Sequence, residues 1–179
     1  MEYSIRAFNR QDIADLARAA NHADVADRLT DEFPYPYLFE DAARFVKTAL
    51  SDATSGSIIR AICVDDRVVG CISLTRGNGS YGHTAELGYF IDPAYQGRGI
   101  AASAVRKMCS EALDGTDIVR IWARPMADNH ASIRVLEKCG FVREGTACSG
   151  VRKNGQIKDS EIFALVADRR NSTDAPCQS

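Results

Sequence analysis

The sequence has no long hydrophobic run and little net charge, and these absences exclude large classes of protein. None of its apolar runs reaches the ~18 residues that a membrane-spanning helix requires. Residues 1–6 lack the charged-then-apolar pattern of a signal peptide. Its 22 Lys and Arg residues face 24 Asp and Glu residues, so the net charge of −2 does not indicate a nucleic acid or an anionic membrane as a partner. We therefore expect a cytoplasmic globular protein that binds neither, as a monomer or a homodimer.

Patterns typical of metal sites and disulfide-rich proteins are also missing. The six cysteines, at positions 63, 71, 109, 139, 148 and 177, include no CxxC pair, and 179 residues do not need disulfides to fold. Cys63 and Cys71 fall on neighbouring predicted strands and could face each other, although free, buried thiols are expected in a reducing compartment. The sequence predicts no metal site.

The hydrophobic pattern predicts one α+β domain over residues 1–168 and a flexible polar tail over 169–179. Alternating or β-branched runs predict strands at 3–8, 57–64, 68–74, 84–91, 118–123, 141–147 and 161–166. Apolar residues at helical spacing predict helices after a cap at Asn9, around 42–50, at 101–112 and at 130–139, the last closed by Gly140. The order β-α-α-β-β-β-α-β-α-β-β describes an antiparallel meander followed by a β-α-β crossover.

The segment 92–102, between a strand and a helix, is the most informative part of the chain. Gly97 and Gly99 allow the backbone amides to turn inward, and the helix N-terminus behind them adds its positive end, which together form a phosphate cradle. Arg98 could supplement it. The alternative is a tight turn that happens to use glycine. A dinucleotide fingerprint is excluded by context, because this loop follows a meander and the next strand does not end in an acidic residue.

Two motifs in this order resemble a known family. The loop Gln96-x-x-Gly99-x-Ala101 resembles the phosphate-binding loop of the GNAT superfamily of acetyl-CoA-dependent N-acetyltransferases. The run NHASIRVLEKCGF at 129–141 resembles the second motif of the branch that acetylates the N-terminal alanine or serine of ribosomal proteins. The similarity spans about residues 3–167. It implies a twisted, mixed, mostly antiparallel sheet with helices on both faces.

The resemblance also implies where acetyl-CoA binds. The pyrophosphate would rest on the amides of residues 97–102, and the pantetheine arm would pair with the main chain of residues 89–91, where a backbone N–H would hold the thioester carbonyl. The cofactor-binding residues implied in this way are Tyr89, Phe90, Ile91, Gln96, Gly97, Arg98, Gly99, Ile100, Ala101, Ala102, Asn129 and Ser132.

Two catalytic residues are implied as well. Many GNAT relatives use a tyrosine as the acid near the second motif, but no tyrosine follows Tyr95, so Ser132 is the candidate donor to the departing thiolate. The alternative for Asn129 and Ser132 is helix capping. Glu86 is the candidate base. Its strand is apolar on both faces, so the carboxylate should be partly buried, with a pKa raised toward a useful value. The alternative is a carboxylate that simply faces solvent.

The remaining candidates carry weaker signals. His83 and His130 could relay a proton but are more simply solvated, and Trp122 is predicted to belong to the core. Tyr35 and Tyr37 lie in a Pro-containing stretch that cannot be helical, and they could wall the substrate entrance or merely pack over a helix. We expect residues 29–40 and 146–160 to form the acceptor pocket.

The function expected from the resemblance is direct acetyl transfer to a primary amine in a ternary complex, without a cysteine nucleophile. The favoured acceptor is a protein N-terminal α-amine. A small amine, such as a polyamine, an amino acid or an aminoglycoside, is the alternative with the same chemistry. A non-catalytic domain that binds acyl-CoA is the alternative from a different class.

Overall fold

The computed structural model describes residues 3–51 and 56–167 and forms a seven-stranded mixed sheet. The strands are β1 Tyr3–Arg6, β2 Ile58–Val64, β3 Arg67–Arg76, β4 Thr84–Ile91, β5 Arg120–Ala123, β6 Val142–Lys153 and β7 Gln156–Val166. They lie side by side in the order β1-β2-β3-β4-β5-β7-β6. Neighbouring strands are antiparallel except β4 and β5, which are parallel. The predicted meander followed by a crossover is confirmed.

Five α-helices accompany the strands in the described residues. They are α1 Ile13–Ala20, α2 Ala23–Ala26, α3 Phe39–Ala49, α4 Ile100–Gly115 and α5 His130–Lys138. The predicted cap at Asn9 is confirmed, since its side chain accepts a hydrogen bond from Gln11 N at 2.8 Å. Gly140, just past α5, has the left-handed φ of 86° expected of a helix-ending glycine. No helix in the described part of the chain is long and apolar enough to cross a membrane.

The largest differences from the predicted elements lie at α2 and in the last hairpin. α2 has four residues, too few to display a hydrophobic period. β6 and β7 extend well into segment 146–160, which was predicted to be a loop. Asn154 and Gly155 join them with φ of 51° and 76°, and this Asn-Gly pair is the sequence signal that should have predicted the tight turn. The predicted tail at 169–179 lies outside the described residues.

Helices cover both faces of the sheet, as the resemblance implied. One core cluster packs α4 and α5 against the sheet, and a second packs α1 and α3 against the opposite face. β4 contributes to both because its side chains alternate: Leu87 and Ile91 are buried in the first cluster, and Phe90 packs against the second. Packing on both faces therefore fixes the backbone of β4 in place.

The cysteines in the described residues are unpaired. Cys63 lies opposite Val68 and Cys71 opposite Ala61, so the two thiols do not face each other. Burial raises the pKa of Cys71 to about 12. This thiol therefore serves as a small apolar side chain and not as a nucleophile. Cys177 lies outside the described residues.

The parallel pairing of β4 with β5 is short, and this gives the fold its cleft. The two strands are in register only from Thr84 opposite Arg120 to Glu86 opposite Trp122. β3, by contrast, pairs with β4 from Arg76 opposite Ala85 to Gly70 opposite Ile91. Beyond Glu86, one edge of β4 is consequently left without a neighbouring strand.

An ion pair between the exposed side chain of Arg18 and the buried carboxylate of Asp92 holds the loop that follows β4. Asp92 is 2% exposed and accepts a hydrogen bond from Arg18 of α1 at 2.7 Å and another from Ala94 N at 2.9 Å. Gln96 donates from its side-chain nitrogen to Ile91 O at 3.0 Å. The loop is thus fixed both to α1 and to the end of β4.

We predict that Asp92→Asn lowers the free energy of unfolding by about 2 kcal/mol, because it leaves the Arg18 guanidinium without its buried anionic partner. The midpoint of thermal unfolding should fall by roughly 4–8 °C. Asp114→Asn, an exposed change on α4, is the matched control and should shift the midpoint little. Equal midpoints for the two variants would show that the Asp92–Arg18 pair does not stabilise the loop.

Candidate active site

A cleft of about 910 Å³ opens where β4 and β5 separate. The far half of β4, the loop before α4, the start of α5 and the segment around α2 form its walls. It brings together most of the residues predicted for cofactor binding and catalysis: Glu86, Tyr89, Phe90, Ile91, Gln96, Gly97, Gly99, Ile100, Ala101, Ala102, Asn129 and Ser132. The two predicted motifs therefore line one cavity, although they lie far apart in the sequence.

The loop before α4 has the geometry of an anion cradle. Gly97 and Gly99 have φ of 74° and 79°, a left-handed conformation that glycine adopts at little cost. A Cβ on either residue would meet nothing within 4 Å, so the backbone conformation and not the space requires glycine here. Gly99 is the N-cap of α4, and no side chain caps the first turn. The first-turn amides have no partner within the helix, and this arrangement fits a pyrophosphate group.

Arg98 does not line the cleft, in contrast to its predicted role in the cradle. Its guanidinium donates to Ala94 O at 2.9 Å and lies 5.5 Å from the centre of the Tyr95 ring. The side chain is thus engaged within the loop itself. The loop therefore offers its backbone amides to the cleft and not the side chain of Arg98.

The open edge of β4 presents backbone groups to the cleft. Ile91 O accepts a hydrogen bond from the Gln96 side chain on the cleft side of the strand. The next amide, Asp92 N, points the other way and donates to Val69 O of β3 at 2.8 Å. Backbone groups of successive strand residues point to opposite edges, so Tyr89, two residues before Ile91, directs its N–H and C=O toward the cleft. This edge fits the main-chain pairing that the resemblance implied for pantetheine.

Glu86 lies at the last position where β4 and β5 are paired, at the inner end of the cleft. Its side chain is 43% exposed, and Arg124 Nε lies 4.0 Å from its Oε1. Burial raises the pKa of the Glu86 carboxyl above its ordinary value, and the charge of Arg124 opposes that rise. A partly buried carboxylate that still reaches the cleft is suited to accept a proton from an amine.

The hydroxyl groups of Ser132 on α5 and Tyr89 on β4 lie 2.8 Å apart. Burial raises the pKa of Tyr89 to about 12, so its phenol remains protonated at neutral pH and can donate to Ser132 Oγ. Tyr89 lies before Tyr95 in the chain and was not predicted as a side-chain partner of Ser132. The available signal was the alternation of β4, which puts Tyr89 on the face that α4 and α5 cover.

Asn129 caps α5, which was the alternative to a role in cofactor binding. Its Oδ1 accepts a hydrogen bond from Ser132 N at 3.2 Å and caps α5. The residue also lines the cleft, and the cap uses only the oxygen of its amide group, so the nitrogen is a further donor at the cleft wall. His130, the first residue of α5, is exposed and lines the cleft, whereas His83 precedes β4 and lies outside the lining.

The predicted position of Trp122 in the core is wrong. Trp122 is only half-buried and lies opposite Glu86 in the parallel pairing. The guanidinium carbon of Arg124 lies 4.9 Å from the centre of the Trp122 ring. Arg124 lines the cleft and is a site residue that the sequence motifs did not predict.

Neither Tyr35 nor Tyr37 lines the cleft, although both were candidates for the substrate entrance. Tyr37 is 5% exposed and belongs to the core cluster of α1 and α3. Its ring stacks on Phe33 at 4.8 Å between centroids, and Phe33 meets Phe90 edge-on at 5.8 Å. Tyr37 therefore packs in the core and does not wall the substrate entrance, because Phe33 separates it from Phe90 at the cleft. Tyr35 is exposed.

The outer end of the cleft lies between the segment around α2 and the β6–β7 hairpin. Lining residues there include Val25, Arg28, Leu29, Thr30 and Val151, so only part of the predicted acceptor region takes part.

Ion pairs hold the two sides of this outer end together. Lys153, 6% exposed, forms an ion pair with Asp31 at 3.2 Å. Asp128 forms ion pairs with Arg28 at 3.1 Å and with Lys158 at 2.8 Å.

In the described residues, no group of three or more His, Cys, Asp or Glu side chains could hold a metal ion.

Comparison with known proteins identifies the family. A family model described as "Acetyltransferase (GNAT) domain" matches residues 4–142. The chain belongs to the GNAT acetyltransferase family. The resemblance seen in the two sequence motifs is therefore confirmed.

Three relatives illustrate the range of this GNAT family. The chain is 40% identical over 102 residues to the probable N-acetyltransferase YjcK of Bacillus subtilis, covering 57% of this chain and 56% of that one. It is 30% identical over 114 residues to the putative ribosomal N-acetyltransferase YdaF of B. subtilis, covering 64% and 62%. These matches thus span little more than half of each relative. The structure of spermidine N-acetyltransferase from Vibrio cholerae in complex with CoA and spermine shares the fold, with a TM-score of 0.76, 20% identity and coverage of 92% and 95%.

We predict that the pKa of Glu86 in this GNAT domain lies above that of a solvated glutamate and rises further in Arg124→Gln, because that change removes the positive charge that stabilises the carboxylate. A carboxyl-carbon NMR titration measures both values, and Glu86→Gln identifies the signal. Arg44→Gln, on the exposed surface of α3, should leave the Glu86 titration unchanged. An Arg124→Gln titration that matches the wild type would contradict the electrostatic coupling.

Proposed function

We propose that this protein transfers an acetyl group from acetyl-CoA to the α-amine at a protein N-terminus, of the ribosomal-protein type. The observation that carries the proposal is the open edge of β4 beside the glycine loop. It places an unpaired strand edge, a cradle of amides and Glu86 along one cleft. The similarity to YdaF supports the ribosomal type of acceptor.

Acetyl-CoA would lie along the two features that the cleft provides. The amides of the loop and of the first turn of α4 would hold the pyrophosphate. The edge of β4 at Tyr89 would pair with the pantetheine arm as an added strand does, and a backbone N–H there would stabilise the oxyanion that forms at the thioester carbonyl. When bound, acetyl-CoA supplies an activated carbonyl carbon and a thiolate leaving group.

The side chains of the cleft would manage the protons. Glu86 would accept the proton that the amine loses as its nitrogen bonds to the carbonyl carbon, directly or through water. Ser132 would donate a hydrogen bond to the sulfur as the carbon–sulfur bond breaks. The hydroxyl of Tyr89, 2.8 Å from Ser132 Oγ, would orient the serine for this task. No covalent acyl-enzyme is required, because a positioned amine attacks the thioester itself.

Two alternatives remain distinct in their chemistry. Acetylation of a small amine uses the same residues, and the V. cholerae relative bound to spermine illustrates such an acceptor. A non-catalytic domain that binds acyl-CoA would need the cradle but not the base. The raised pKa of Glu86 at the end of the cleft favours an enzyme.

We predict that acetyl-CoA at 100 times its dissociation constant stabilises the protein by about 2.7 kcal/mol, which corresponds to roughly 5–10 °C in the unfolding midpoint, whereas NADPH has no such effect. Gly99→Ala should weaken acetyl-CoA binding about ten-fold, because a residue with a Cβ pays about 1–2 kcal/mol in the left-handed region. Thermal unfolding with and without ligand measures both effects.

Gly115→Ala is the matched control for Gly99→Ala. A Cβ at Gly115 also meets nothing within 4 Å, and its backbone is not left-handed. It should bind acetyl-CoA as the wild type does. The absence of any shift at millimolar acetyl-CoA in the wild-type protein would remove the basis of the proposed function.

We predict that Glu86→Gln lowers the rate of CoA release about 10²- to 10⁴-fold, since the amine loses its general base. Because a base acts when deprotonated, the wild-type rate should rise with pH through the raised pKa of Glu86, and this acidic limb should vanish in the variant. The thermal shift with acetyl-CoA should be unchanged. Undiminished turnover with normal binding would exclude Glu86 as the base.

A further inference from the structure

Arg124 is a cleft residue with hydrogen-bonding capacity to spare. In the described part of the chain, no hydrogen bond joins its guanidinium to another residue, and its one ion-pair contact, to Glu86, spans 4.0 Å. The side chain is 49% exposed and lines the cleft. An arginine carries five N–H donors in a fixed plane, so Arg124 can bind an acceptor oxygen in the cleft without breaking an existing contact.

The Trp122 ring fixes the position of these donors. The guanidinium carbon lies 4.9 Å from the ring centre, a cation–π distance that holds the charged plane over the indole. Trp122 is itself fixed, because it pairs with Glu86 of β4 on one side and with Ala164 of β7 on the other. The base and the guanidinium are thus two adjacent, preorganised groups of opposite charge.

We propose that Arg124 binds an oxygen atom next to the reacting nitrogen, so that the acceptor is an α-amine with an adjacent carbonyl or carboxylate group. This inference rests on the proposed function and specifies its acceptor. In an N-terminal residue the nitrogen and the carbonyl oxygen are separated by only two carbon atoms. The nitrogen then contacts Glu86 while the oxygen accepts from Arg124, each at a hydrogen-bond distance of ~2.9 Å. The 4.0 Å gap between the two side chains suits such a pair of neighbouring groups.

The same charge acts against polyamines. A second ammonium group close to the reacting amine would meet the positive guanidinium and be repelled. Asp128 also lines the cleft, but Arg28 at 3.1 Å and Lys158 at 2.8 Å already engage its carboxylate. The charges next to the base therefore favour an oxygen-bearing acceptor over a polycation.

The test measures kcat and KM for four acceptors with the wild type, Arg124→Gln and Arg124→Lys. The acceptors are a tripeptide with a free N-terminal serine, free serine, propylamine and spermidine. CoA release is followed on the alkaline plateau of each variant's own pH–rate profile, so that a change in the pKa of Glu86 does not enter the comparison. For each acceptor, the variant is compared with the wild type, so that the basicity of the amine cancels. Arg44→Gln, with an exposed arginine outside the cleft, is the matched control.

We expect Arg124→Gln to lower kcat/KM for the tripeptide and for serine about 10- to 100-fold, chiefly through KM, because a charge-assisted hydrogen bond is lost. Propylamine should change little, and spermidine should become a better acceptor than it is for the wild type. Arg124→Lys should restore part of the activity toward the tripeptide, and Arg44→Gln should match the wild type. For the wild type, a higher kcat/KM with the tripeptide than with free serine would identify a peptide N-terminus as the acceptor, and the reverse order would identify a free amino acid.

Equal losses for the tripeptide and propylamine would overturn the inference, since Arg124 would then affect the site generally and not the acceptor oxygen. No loss for any acceptor, or a wild-type preference for spermidine, would overturn it as well. These outcomes leave acetyl transfer itself intact. A wild-type protein that releases no CoA with any of the four acceptors would instead contradict the proposed function.

Discussion

The cleft depends on one constraint, which is the early end of the pairing between β4 and β5. These parallel strands share hydrogen bonds only as far as Glu86 and Trp122, although β4 continues to Ile91 and remains paired with β3 on its other side. A buried strand edge normally finds a partner, because unpaired backbone groups are costly away from water. Here the unpaired groups face a cleft, so a ligand can supply the missing partner.

The segments that follow β4 and β5 carry the residues of the site. The chain leaving β4 turns through Gly97 and Gly99 into α4, which carries the amides of its first turn to one end of the cleft. The chain leaving β5 passes Arg124 and reaches α5, where Asn129 caps the helix and orients Ser132. Glu86 lies at the last position where the strands are still paired. The proposed cofactor cradle, base and hydroxyl donor thus lie along one open edge.

The loop before α4 and the inner end of the cleft present different kinds of polar group. The cradle is built from backbone amides and a helix N-terminus, which favour phosphate. At the inner end, Glu86 and Arg124 form a loose pair across 4.0 Å. Such a pair keeps both groups available, since a close ion pair would occupy the carboxylate that we propose as the base.

The sequence by itself determined the features that depend on neighbours along the chain. Alternation placed Leu87 and Phe90 on opposite faces of β4, glycines marked the left-handed turn before α4, and the element order indicated the sheet. Only the tertiary structure decided which side chains from distant segments meet: Tyr89 with Ser132, Arg124 with Glu86, and Phe33 with Phe90. The physical reason is that local pattern fixes the face on which a residue lies. Its contacts across the sheet also depend on strand register and helix packing, which many distant residues set together.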